Sequence, residues 1–65
     1  MKRYAVCYVS RLHGDPIMIS ETDSPAEAYQ GALKAEKDGL NGVRVADTKE
    51  VMAHEPRAFA AMHRL

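Results

Sequence analysis

An apolar run behind Lys2 and Arg3, with the β-branched and aromatic side chains of Tyr4, Val6, Tyr8 and Val9, predicts a strand from about Arg3 to Leu12 whose two faces are both fairly apolar. Tyr4, Val6 and Tyr8 fall on one side of it and Ala5, Cys7 and Val9 on the other, with Arg3 and Arg11 bracketing the second set on its own face. The bulkier tyrosine-bearing side is expected to face inward. His13, Gly14, Asp15 and Pro16 then supply turn chemistry, because Gly14 accepts positive φ and Pro16 can open a strand although it cannot donate to a ladder. Ile17, Met18 and Ile19 return as a second strand and complete a hairpin.

The pattern then changes from a period of two to spacings of three and four. Ser24-Pro25-Ala26-Glu27 has the form of a capping box, in which the Ser24 hydroxyl accepts from the Glu27 amide and the Glu27 carboxylate reaches back, with Pro25 at the first helical position. Ala28, Tyr29, Ala32, Leu33 and Ala35 form the apolar stripe, while Gln30, Lys34 and Lys37 face water. A stripe made mostly of alanine lets the helix lie close to a sheet. Gly39 suits the left-handed position that ends a helix, and Leu40 is placed to fold back on the last turn.

Asn41-Gly42 reads as a turn and Val43, Arg44 and Val45 as a strand. Residues 47–54 allow two readings. Asp47 with Glu50 three residues on could cap a helix, or Asp47-Thr48-Lys49-Glu50 could turn the chain into a return strand of Val51, Met52 and Ala53. The hairpin is favoured, because Val51 and Ala53 keep a period of two and Pro56 would cut such a helix to barely two turns. Pro56 then opens a last helix, with Phe59, Met62, Ala58 and Leu65 expected on its inner side. The predicted fold is α+β: a small antiparallel sheet in β-β-α-β-β-α order with the helices packed on one face, formed as a single domain over residues 1–65. This order can be read as a doubled ββα unit, although the two halves share little beyond Pro25 and Pro56 at their helix starts.

Composition narrows the function classes. At 65 residues the chain holds one core, and folding hides only about 60% of the surface of an unfolded chain this short. The chain is 46% hydrophobic and 28% charged, values ordinary for a globular domain that folds. One cysteine closes no internal disulfide, and one cysteine with three scattered histidines falls short of a structural zinc set. Self-association is the remaining way to staple so small a fold. Nine basic residues balance nine acidic ones, which disfavours general electrostatic binding of nucleic acid. The apolar run behind Lys2 and Arg3 stops at Ser10 and Arg11, too short for a signal core or a membrane span, so a cytoplasmic protein is expected.

Candidate chemistry is sparse. Cys7 lacks a cation or histidine close along its own strand, since Arg3 and Arg11 are each about 13 Å away at roughly 3.3 Å per residue, and it reads as a small apolar residue rather than a nucleophile. His13, His54 and His63 have no metal-type spacing, and His63 has a structural use at a helix C-terminus. Asp23 and Glu27 belong at a helix N-terminus, so they are not assigned as an acid–base pair. No enzyme, cofactor or metal is expected.

The remaining feature is the sheet face turned away from the helices, centred on Ala5, Cys7 and Val9 and edged by Arg3, Arg11 and Arg44, with Ala46 beside them. Arg3, Cys7, Val9, Arg11 and Arg44 are therefore the candidate partner-binding residues of a non-enzymatic interaction module. Such a module would be an adaptor, inhibitor or regulator, of a size that also suits phage or mobile-element accessory proteins, with a protein partner and a homodimer expected and no membrane. The alternative is a nucleic-acid-binding regulator that stacks bases on Tyr4 and Tyr8 beside Lys2, Arg3 and Arg11, which requires those tyrosines in solvent.

Overall fold

A computed structural model describes residues 2–12 and 14–65, so the expected role of His13 in the first turn lies outside the described residues. The elements follow as β1 (Tyr4–Val9), β2 (Pro16–Thr22), α1 (Pro25–Lys37), β3 (Arg44–Asp47), β4 (Met52–His54) and α2 (Pro56–Met62). The strands form one antiparallel sheet in the order β2-β1-β3-β4. The two ββα units thus meet along β1 and β3. Residues 47–54 form the favoured hairpin, but its return strand is Met52–His54 rather than Val51–Ala53, so Val51 does not take part in the alternation expected of it.

α1 starts where its capping residues require. The Ser24 hydroxyl accepts from the Glu27 amide at 3.3 Å. The Glu27 carboxylate does not reach the Ser24 amide itself; it accepts from the Thr22 hydroxyl at 2.9 Å, and that oxygen accepts from the Ser24 amide at 3.1 Å. The box is closed through one hydroxyl. Gly39, at φ +89°, ends the helix with the Leu40 amide bonded to the Ala35 carbonyl. α2 begins on Glu55, whose carboxylate accepts from the amides of Arg57 and Ala58. Arg57 also pairs with Glu36 at 3.2 Å and so ties the two helices together.

Both helices lie on one face. The core holds Tyr4, Val6, Val43 and Val45 from the sheet side, Ala28, Ala32 and Ala35 from α1, and Phe59 from α2. Tyr4 is 4% exposed and Tyr8 packs partly against the same cluster, so the tyrosine side of β1 is the inner one. The inner side of α2 differs from expectation. Pro56, Phe59 and Ala60 are buried, whereas Ala58 faces solvent and Met62 and Leu65 are 57% and 51% exposed. Starting the helix at Pro56 puts Phe59, Ala60 and His63 along its inward stripe and rotates Met62 out of it. β1 is also shorter than expected, since the strand ends at Val9 and Ser10, Arg11 and Leu12 belong to the connection to β2.

The start of β1 is pinned to β3 by a charged pair. The Arg3 guanidinium donates to the nearly buried Asp47 carboxylate at 3.2 and 3.4 Å and lies 5.3 Å from the Tyr4 ring centre. The same carboxylate accepts from the amides of Lys49 and Glu50, which shapes the turn between β3 and β4. The Arg3 hydrogen bonds hold the Asp47 carboxyl below the ordinary aspartate range, and the two amides add to them against the opposing effect of burial. A carboxyl lowered on folding contributes stability above its unfolded value and loses it as pH falls through the folded one. The melting temperature of the wild type is therefore expected to drop as pH falls below about 4, and Asp47→Asn to show a flatter acid limb. Superimposable pH dependences in thermal unfolding would remove Asp47 from this role.

The turn itself is strained. Val51 adopts φ +54° and is 87% exposed, a conformation that a β-branched residue enters at a cost of about 1–2 kcal/mol. It belongs to the turn rather than to the return strand. Val51→Gly removes the strain without losing buried area, so a rise in melting temperature of about 4–8 °C is expected for a domain of this size. An unchanged or lower value in a thermal melt would contradict the assignment.

Candidate binding face of the sheet

The register places the outer face residue by residue. Ala5 lies between Glu21 on β2 and Ala46 on β3, and Ala46 is in turn opposite Ala53 on β4. Two positions further along β1, Cys7 lies between Met18 and Arg44. Val9 follows next to Pro16, half-exposed and in contact with Gly42. An added Cβ at Gly42 would come within 3.2 Å of the Val9 Cβ, and the backbone there has φ +64°, so glycine suits that support for two independent reasons. The centre of the face is flat because its residues are small.

A bulge in β2 decides which residues join this face. Val6 pairs with Ser20 and Cys7 with Met18, so Ile19 is an extra residue in the strand. Without it, Met18 and Glu21 would point to opposite sides of the sheet. With it, both share the outer face, and Ile19 turns to the helix side, where it lines a groove of about 270 Å³ with Gly31, Lys34, Ala35 and Leu40.

The five candidate residues do not all meet here. Cys7, Val9 and Arg44 share the face, whereas Arg3 is turned toward the edge of the inner face by its bonds to Asp47, and Arg11 lies beyond the end of β1. The positive rim therefore contracts to Arg44. Its guanidinium donates to the Val43 carbonyl at 2.8 Å and has no carboxylate within salt-bridge distance among the described residues. Glu21 likewise has no cationic partner among them. Met18, Glu21 and Ala53 are face residues that the alternation did not single out.

Cys7 is half-buried, and its thiol lies 3.7 Å from the Ala5 carbonyl. Burial pushes its pKa up, which makes it a weaker nucleophile at neutral pH. His54 and His63 sit elsewhere, on the inner side: His63 packs 4.4 Å from the Phe59 ring and 5.6 Å from Tyr4, and His54 lies 6.4 Å from Phe59. They are parts of an aromatic cluster rather than isolated surface groups. His54 Nε2 is buried without a hydrogen-bond partner among the described residues. No group of three His, Cys, Asp or Glu side chains among the described residues is placed to hold a metal ion. Among them no helix is long and apolar enough to cross a membrane. Comparison with known protein families, with curated proteins and with solved structures finds no match to this chain.

Proposed function

We propose that this chain is a non-enzymatic protein-interaction module of the cytoplasm, an adaptor, inhibitor or regulator that works through the helix-free face of its sheet. One observation carries the reading. Both helices cover the same side, which leaves the half-buried Cys7 and Ala46 and the exposed Ala53 as a flat apolar centre beside the buried Ala5, with Glu21, Met18 and Arg44 around it and no second layer above among the described residues. Stacking of nucleic-acid bases on this face lacks its aromatics, since Tyr4 and Tyr8 pack toward the helices.

The centre of the face is its most sensitive point. Ala46→Glu sets a carboxylate between Ala5 and Ala53 without touching the core, so the fold is expected to persist while binding is lost. The test immobilises the full chain and exposes it to a lysate of its host. A protein retained by the wild type and lost with Ala46→Glu supports the reading. Equal retention by both, or no retained protein together with no self-association, contradicts it.

A further inference from the structure

Glu21 and Arg44 occupy corresponding places on opposite sides of β1. Glu21 flanks Ala5 from β2 and Arg44 flanks Cys7 from β3, so the line joining them crosses β1 midway between Ala5 and Cys7. With strands about 4.8 Å apart and a rise of about 3.3 Å per residue, the two positions are about 12 Å apart, too far to pair within one chain. A two-fold axis lying above that midpoint, parallel to the sheet and perpendicular to the line, carries Glu21 of one copy over Arg44 of another and Arg44 over Glu21. Both are exposed, and neither has an opposite charge within salt-bridge distance among the described residues. Between the two charges lie the small side chains Ala5 and Cys7, which let a second sheet approach closely.

We infer that the occupant of this face in the free protein is a second copy of the chain, packed sheet to sheet about that axis with two reciprocal Glu21–Arg44 pairs. The inference rests on the interaction-module reading and names the partner for the same face. A closed two-fold contact of this kind is self-complementary, which suits a chain with no net charge. The footprint is small. The strands hold 6, 7, 4 and 3 residues, which at about 4.8 Å by 3.3 Å each give roughly 320 Å² per copy, below the class of permanent dimers, so the expected dissociation constant is about 10–1000 µM.

The experiment is sedimentation velocity of the full chain up to about 1 mM, with Glu21→Arg, Arg44→Glu and the double variant, each checked by circular dichroism for an unchanged fold. Each single reversal turns two attractions into two repulsions and is expected to weaken the pair by about tenfold or more, and the double variant to return within about threefold of the wild type. A short bismaleimide is expected to join the Cys7 thiols of two wild-type chains, since each lies about 3.3 Å along its strand from the axis point. A wild type that stays monomeric at the highest concentration overturns the inference, yet a host protein retained by the wild type and lost with Ala46→Glu would still support the wider reading. A dimer indifferent to single reversals, or one the double variant fails to restore, overturns the geometry.

Discussion

Phe59→Ala is expected to abolish cooperative unfolding of this protein. Phe59 is fully buried and is the centre of an aromatic cluster, with Tyr4 edge-on at 5.3 Å and 77°, His63 at 4.4 Å and His54 at 6.4 Å. Through these contacts it joins α2 to β1 and to the end of β4. Truncating a buried phenylalanine costs about 3–5 kcal/mol, and a single core in a chain this short rarely supplies more than about that amount. Among the described residues half of the ten buried apolar side chains are alanine, so little else in the core compensates. Thermal unfolding followed by far-ultraviolet circular dichroism is expected to show a sharp transition for the wild type and none for Phe59→Ala. Phe59→Leu keeps much of the apolar bulk and is expected to retain a transition at lower temperature. A near-wild-type melt of Phe59→Ala would show that the core does not depend on α2.

Ala32→Leu is expected to destabilise by about 2 kcal/mol or more, through overpacking. Ala32 is fully buried between α1 and the sheet, and the helix runs so close that a Cβ added at the adjoining Gly31 would touch the Val6 methyl at 3.4 Å. Three further carbons have no room unless the helix lifts away. The same substitution at the exposed Ala26 adds the same atoms in solvent and is expected to change stability by no more than about 0.5 kcal/mol. Denaturant titration of the two variants separates the outcomes, and equal midpoints would mean that α1 does not lie against the sheet as described.

Much of the architecture could be read along the chain because local signals agreed with one another. Ser24, Pro25 and Glu27 mark the start of α1 and Gly39 its end. Pro56 weighed against a helix across residues 47–54, where the chain forms a hairpin. The inward side of β1 followed from the size of Tyr4 and Tyr8 against Ala5 and Cys7, because a core gains more from the larger rings.

The binding face was only partly legible, for two reasons that alternation does not carry. The extra residue at Ile19 has no glycine to announce it, and it moves Glu21 onto the side of Met18. Arg3 obeys the backbone alternation, but its long side chain bends round the strand to Asp47, a residue 44 positions away. The charge of the face follows from these two departures: among the described residues, an arginine-edged surface becomes one with Arg44 on one side of its centre and Glu21 on the other. Likewise α2 is too short for its apolar residues to define a stripe, so Met62 and Leu65 compete with Ala60 and His63 on sequence alone, and packing against Tyr4 decides between them.

The most direct test of the working face is a map of backbone amide resonances, recorded as the concentration of labelled chain is raised or as a captured partner is added. The account predicts that shifts gather at Ala5, Cys7, Arg44, Ala46 and Ala53, with the solvent side of α1 unmoved. Shifts confined to Val51, Met62 and Leu65, or to Gln30 and Lys37 on α1, would contradict it.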